Sequence, residues 1–328
     1  MKTSQESKIA VVIPCYKVSR YLKMVLQGIG PEVSLIYCID DACPENSAAK
    51  AKQELPNETR LRIITHSTNQ GVGAAVMAGY KAAIEQGADI IVKLDGDGQM
   101  DPAFIPHLVA PIIDGKADYV KGNRFYHLRS VKSMPWPRVI GNAGVSFLSK
   151  ISTGYWNIFD PTNGFTAIHS AIVRQLPLEK IHRRFFFESD ILFQLNLLRA
   201  VVFEVPMDAV YADEKSNLNP WKAFGLFPIL HIRNFFTRLV YNYFLRNFSI
   251  ASLDFLLGCV LFLFGVIFGL TMWITNAYKG VVTTSGTVMI SALPIILGFQ
   301  LLLGFLSFDM SNIPDNPVHK HLKVHKLH

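Results

Sequence analysis

Through residue 218, short apolar runs rich in β-branched side chains alternate with longer stretches of helical periodicity. Ile9-Ala-Val-Val-Ile13 is one such run, stopped by Pro14, and Leu35-Ile-Tyr-Cys-Ile39 is a second, ending in Asp40-Asp41. Leu61–Thr65 and Ile90–Leu94 are a third and a fourth, the last running into Asp95. Runs of this length and composition predict strands buried on both faces. Between them, residues 73–86 are alanine-rich and place Val76, Tyr80, Ala83 and Ile84 on one side, which predicts a helix. Strand–helix–strand alternation at this spacing predicts an α/β domain with a mostly parallel sheet. Ligands of such sheets collect at the carboxyl ends of the strands, where this chain carries Asp40/Asp41 and Asp95/Asp97. No internal repeat or low-complexity tract interrupts the pattern.

Beyond residue 219 the pattern changes. Ile232, Phe235, Phe236, Leu239, Val240 and Tyr243 fall on one helical face, and Arg233, Asn234, Thr237, Arg238 and Asn242 on the other. A basic amphipathic helix in this position is expected to lie in a membrane interface, with Trp221 and Phe224 at headgroup level. Two runs without a charged side chain follow, Phe255–Thr275 and Val281–Phe308, each longer than the ~20 residues that cross a bilayer. The expected division is a domain over 1–218, juxtamembrane helices over 219–248, two transmembrane helices over 249–310 and a basic tail over 311–328. Gly258, Gly265 and Gly269 offer small faces through which spans associate, so a homo-oligomer is one expectation.

The formal charge of +7 changes this picture only through its distribution. Lys222, Arg233, Arg238 and Arg246 precede the first apolar run and Lys320, Lys323 and Lys326 follow the second, with Lys279 alone between them. That asymmetry places the domain and the tail on the cytoplasmic side. The basic residues form no single tract on the domain, so a membrane partner is expected and nucleic acid is not. Cys15, Cys38, Cys43 and Cys259 show no metal-ligand spacing and read as reduced thiols. The first apolar run, Ile9–Pro14, is too short for a signal peptide. The ten histidines form no metal set; His319, His321, His325 and His328, with His231 upstream, read chiefly as a solvated basic tail.

The segment Lys93-Leu-Asp-Gly-Asp-Gly-Gln99 carries the strongest chemistry. An Asp-x-Asp pair after a strand is compatible with a plain turn. It also suits a hard divalent cation that grips a diphosphate and offsets the charge building on it as it leaves. Gly96 and Gly98 would let the backbone approach such a ligand closely.

Six segments occur in order: IAVVIPCY (9–16), YCIDDACPENS (37–47), NQGVGAAVMAG (69–79), LDGDGQMDP (94–102), GNRF (122–125) and DPTNGF (160–165). Together they resemble the inverting family 2 glycosyltransferases of GT-A fold, in the branch of dolichyl-phosphate mannose synthase and the bacterial polyprenyl-phosphate glycosyltransferases. The resemblance covers about residues 8–218, and the amphipathic helix and paired spans resemble membrane-anchored members of that branch. It implies transfer of a hexose from a UDP- or GDP-sugar to a polyprenyl phosphate in cell-envelope glycan synthesis. An integral protein of a bacterial inner membrane, with its catalytic domain cytoplasmic and Mg²⁺ or Mn²⁺ as cofactor, is further implied. Carried over by position, Pro14, Tyr16, Ile39 and Asp41 line the nucleoside pocket, with Gly71 and Gly96 also on the donor side. Asp95 stands near the donor and a metal-bound water, and Asp97 and Gln99 ligate the metal. Arg124, Arg138 and Asn142 hold the acceptor phosphate, for which a guanidinium fork is well shaped.

The sequence departs from the family in three places. Lys17-Val18 stands where an acidic residue or Asn-Glu is common, and Ala42-Cys43-Pro44 where Gly-Ser usually follows the acidic pair. The segment 211–218 resembles the acceptor loop without its arginines, leaving Lys215 as a substitute. Glu188 and Asp190 occupy positions where hydroxyl-acceptor relatives keep a general base. A lipid phosphate is already an anion and needs none, in which case the two carboxylates orient the acceptor-side arginines. A hydroxyl acceptor is therefore the first alternative. The processive Gln-x-x-Arg-Trp motif is missing, its nearest string being Gln194–Arg199. A non-catalytic scaffold is the second, against which the intact Asp95, Asp97, Gln99 and Arg124 argue.

Overall fold

In the computed structural model, residues 7–126, 136–207 and 220–322 are described, with the backbone alone at 137–138 and 220–224. The strands are β1 (Ile9–Cys15), β2 (Val33–Asp40), β3 (Leu61–Thr65), β4 (Ile90–Lys93), β5 (Tyr119–Asn123), β6 (Thr166–His169) and β7 (Val202–Pro206). They form one sheet in the order β3-β2-β1-β4-β6-β5-β7. Only β6 runs against its neighbours, β4 and β5; the other pairs are parallel. The four strands expected from the apolar runs are present, and the sheet is the mixed α/β arrangement of the GT-A fold.

Helices α1 (Leu22–Gly28), α2 (Ser47–Glu54), α3 (Val72–Glu85) and α4 (Ile105–Ile113) follow the first four strands. Three more complete this part of the chain: α5 (Trp136–Thr153), α6 (Phe187–Leu197) and α7 (Pro220–Leu239). Ala10, Val11, Val12 and Ile13 have no exposed surface, so β1 is covered on both faces, as a continuous apolar run in a parallel sheet requires. Pairing sets Cys15 opposite Asp40, so β1 and β2 end level with one another, and Val12 opposite Lys93, so β4 ends earlier along the same edge.

The chain falls into two units, residues 1–235 with 314–328, and residues 236–313. The first unit thus reaches further than residue 218 and takes in the tail. Residues 318–320 form a short helical turn that is docked rather than solvated. Asp118, just before β5, accepts hydrogen bonds from the N–H groups of Val318 (2.9 Å) and His319 (2.8 Å). It also contacts His319 Nδ1 (2.7 Å) and accepts from the Val201 N–H (2.7 Å). His319 stacks on His169 at the amino edge of the sheet, away from the strand ends that carry the acidic pairs.

In the first unit, α7 turns its polar side inward. His231 and Asn234 are buried, whereas Leu226, Ile229 and Ile232 are exposed. Ser152 Oγ on α5 lies 2.7 Å from His231 Nδ1, and Asn234 donates to Asp190 Oδ1 (3.1 Å). The sequence pattern drew the faces of α7 elsewhere: of its polar set Asn234 is buried but Arg233 is exposed, and His231, which it placed on neither face, seats on protein.

In the second unit, α8 (Ile250–Lys279) and α9 (Ser285–Ser311) are long and apolar enough to cross a membrane, with 11% of each apolar window buried. They pack backbone to backbone. A Cβ on Gly258 would meet Gly298 O at 3.0 Å, and one on Gly265 would meet Ser291 O at 2.7 Å. The glycines expected to serve association between chains thus join the two helices of one chain. Arg238 is not a headgroup cation here: it is buried in an ion pair with Asp309, which also accepts from the Tyr243 hydroxyl (2.6 Å).

Candidate active site

The carboxyl ends of β1, β2 and β4 open one edge of the sheet. Beyond each strand the ladder continues for a residue: Leu94 N–H donates to Val12 C=O (3.0 Å) and Asp41 N–H to Cys15 C=O (3.2 Å). The turn after β4 then exposes Asp95 and Asp97, and the Gln99 N–H donates to Asp97 Oδ1 (3.0 Å), fixing the turn. Burial, and then the neighbouring Asp95, push the Asp97 carboxyl above its usual range. Two carboxylates that repel each other at a strand end are a pair that a cation would relieve.

Lys93, the last residue of β4, is buried among apolar neighbours. Its Nζ lies 2.7 Å from Asp95 Oδ1 and 2.8 Å from Oδ2, and 3.8 Å from Glu188 Oε1. Burial alone would lower the pKa of this ammonium, but Asp95 and Glu188 reverse the sign and raise it. Glu188 sits in the first turn of α6. Burial pushes its carboxyl up, against the pull of Lys93 and then Lys121, with Asp95 and Arg124 also in its field. Lys121, on β5, donates to Asn163 C=O (2.7 Å) and is lowered by burial. Gly164 seals the cluster: a Cβ there would stand 2.1 Å from Lys93 Nζ and 2.7 Å from Asp95 Oδ2.

Next to this cluster, Arg124 presents its fork to Asp160, Nε to Oδ2 at 2.8 Å and Nη2 to Oδ1 at 3.0 Å. Asp160 is fully buried, and its N–H and that of Phe159 donate to Glu204 Oε1. A bidentate pair of this kind fixes the plane of the guanidinium. At the other end of the edge, Asp41 accepts from the N–H groups of Gln70 (2.9 Å) and Gly71 (2.7 Å) and contacts His66 Nδ1 (2.8 Å). Gly71 has φ +100°, and a Cβ there would lie 2.6 Å from Arg183 O, so only glycine lets the loop before α3 reach Asp41.

A model of the family described as "Glycosyl transferase family 2" matches residues 10–177, just over half of the chain and all but the last strand of the sheet. The chain belongs to that family. Among curated family relatives, it is 29% identical over 219 residues to UDP-N-acetylglucosamine--dolichyl-phosphate N-acetylglucosaminyltransferase of Methanococcus voltae, covering 62% of this chain and 86% of that protein. It is 28% identical over 209 residues to undecaprenyl-phosphate mannosyltransferase of Micrococcus luteus, covering 62% and 84%. With polyprenol monophosphomannose synthase of Mycolicibacterium smegmatis the identity is 25% over 202 residues, covering 60% and 75%.

For this family 2 glycosyltransferase, the structure gathers Asp95, Asp97, Gly96, Gln99, Glu188 and Arg124 at one edge of the sheet, with Pro14, Tyr16, Asp41 and Gly71 along it. Ile39 does not join them: it has no exposed surface and belongs to the sheet core. Asp190 is directed elsewhere, accepting from His182 N–H (2.8 Å) and Asn234. It braces α6 against α7, where Arg233 Nη2 also lies 3.9 Å from its Oδ1. Arg138 and Asn142 lie on α5, the side chain of Arg138 outside what is described, and Lys215 lies outside the described residues altogether. Sequence reasoning missed Lys93, Lys121, Asp160 and Glu204. The signal for the lysines was a charge inside an otherwise apolar strand run, which is rare without a buried partner. Among the described residues no three His, Cys, Asp or Glu side chains gather as a metal cage. Two carboxylates suit a cation that draws its remaining oxygens from a substrate diphosphate.

Proposed function

We propose that this glycosyltransferase moves a hexose from a nucleoside diphosphate sugar to a polyprenyl phosphate, with inversion, at the cytoplasmic face of a membrane. The observation that carries the reading is the placement of an Asp-x-Asp pair and an oriented arginine around the same buried Glu188. Asp97, Asp95 and Gln99 would hold Mg²⁺ or Mn²⁺, which would carry the charge of the departing diphosphate. Pro14, Tyr16, Asp41 and Gly71 stand where the nucleoside would lie. Arg124, held flat by Asp160, would receive the acceptor phosphate with Arg138, Asn142 and Lys215. Such an acceptor arrives as an anion, so positioning and charge compensation do the chemistry without a general base. Glu188, flanked by two lysines, fits the role of keeping cations in place. The relatives named above support the acceptor class, since all three names specify a polyprenol, dolichyl or undecaprenyl phosphate carrier.

Membrane attachment is supported by α8 and α9 and by the apolar stripes that the first unit leaves exposed. Leu226, Ile229 and Ile232 line α7, and Trp136, Ile140 and Phe147 line α5, which the Ser152–His231 contact joins to it. Both stripes suit the acyl–headgroup boundary of a bilayer.

A radiolabelled-donor assay comparing polyprenyl phosphate with the free polyprenol tests the acceptor class. Label is expected on the phosphate alone. Transfer to the alcohol would instead favour the hydroxyl reading and make Glu188, with its raised carboxyl, the base.

A further inference from the structure

Lys93 is placed to do more than balance charge. Around it stand three carboxylates, Asp95, Asp97 and Glu188, and one other lysine, Lys121; Arg124 is matched by Asp160. Its Nζ chelates both oxygens of Asp95, those that would otherwise turn toward a cation at the strand end. A buried ammonium cannot be left without a partner, at a cost of several kcal/mol. A second partner is already in reach: Glu188 Oε1 lies 3.8 Å away, about 1 Å beyond a charge-assisted hydrogen bond. Phe187 covers the ammonium and Gly164 packs directly against it, and Asp95 and Glu188 are the two carboxylates within 4 Å of it among the described residues.

We infer that Lys93 is a positioning residue that exchanges carboxylates, chelating Asp95 while no divalent cation is bound and moving onto Glu188 when Asp95 turns to the cation. The inference rests on the metal reading of Asp95 and Asp97 given above. It gives Glu188 a function that an anionic acceptor would otherwise leave it without. Glu188 receives the displaced ammonium, and Lys121 steadies it from the other side.

The test is Mn²⁺ binding by the full-length protein in detergent, followed by the electron paramagnetic resonance of the free ion. Wild type is expected to bind saturably and Asp97→Ala to lose the binding. Lys93→Met removes the competitor for Asp95, and affinity for Mn²⁺ is expected to rise by roughly tenfold. Glu188→Gln leaves Lys93 with Asp95 alone, and affinity is expected to fall about fivefold or more. A field effect of the two charges would give the same signs additively, so the decisive sample is the double variant. If Glu188 acts through Lys93, adding Glu188→Gln to Lys93→Met changes affinity by less than about twofold. Additive effects, or unchanged or weaker binding by Lys93→Met, would overturn the exchange while leaving the metal reading intact. Absence of saturable Mn²⁺ binding in wild type, both alone and with a nucleoside diphosphate present, would remove the metal reading and the exchange with it. Should Lys93→Met fail to fold by thermal unfolding, Lys93→Gln takes its place in the same cycle with the same criterion, and a Glu188→Gln affinity equal to wild type refutes the exchange in either case.

Discussion

Gly164 shows how finely the site depends on single atoms. An alanine Cβ would overlap Lys93 Nζ and crowd Asp95 and Glu188, at 2.1, 2.7 and 3.0 Å. Since misplacing a reacting group by about 1 Å costs on the order of 10²-fold in rate, Gly164→Ala is expected to lose transfer far out of proportion to its melting temperature. Parallel activity and unfolding measurements check this. Asp160→Asn breaks the charge-assisted fork that orients Arg124; we expect the KM for the lipid acceptor to rise about tenfold, with nucleotide affinity unchanged by calorimetry. At this scale Asp95, Asp97 and Arg124 were legible because motif order fixes them. Lys93 and Lys121 were not, because a charge in an apolar run announces burial but not its partner. Ile39 was misjudged for the converse reason: position in a motif does not tell which way a strand residue points.

Among the elements, the first four strands and α3 were legible from periodicity to within a residue or two, whereas β5, β6 and β7 were not read. That α7 is a helix was also legible, but not which side of it meets protein, since a polar side chain serves water and a hydrogen-bonding neighbour equally well. His231 and Asn234 decide it by pairing with Ser152 and Asp190. Burial holds His231 down at about 4, well below the ~6.5 of an exposed imidazole. Between those values the unfolded chain binds the extra proton, so this contribution is whole above pH ~6.5 and lost as pH falls toward 4. The melting temperature is expected to drop over that window, and His231→Gln to flatten the drop, as a pH series of thermal scans would show. His169, also held at about 4 by burial and then by His319, adds a slope of the same sign that the variant retains.

For the whole molecule, the sequence located the two helices long and apolar enough to cross a membrane but treated the tail as solvated. Three contacts that the tail makes with one carboxylate, Asp118, contradict that, and nothing in a run of histidines and lysines names a distant aspartate as their seat. Those hydrogen bonds hold the Asp118 carboxyl below its usual range although burial opposes them. Asp118→Ala should therefore cost roughly 2–4 kcal/mol, because buried donors lose their acceptor, and chemical denaturation of the full chain would measure it. The docking also carries a consequence of parity. A chain that leaves a domain, crosses a barrier and comes back to grip the same domain must cross an even number of times. On the membrane reading proposed above, deleting α9 alone is expected to maroon residues 314–322 on the opposite shore. Protease or thiol-label accessibility of that stretch would switch sides, and the Asp118 seat would be left vacant in an otherwise folded enzyme.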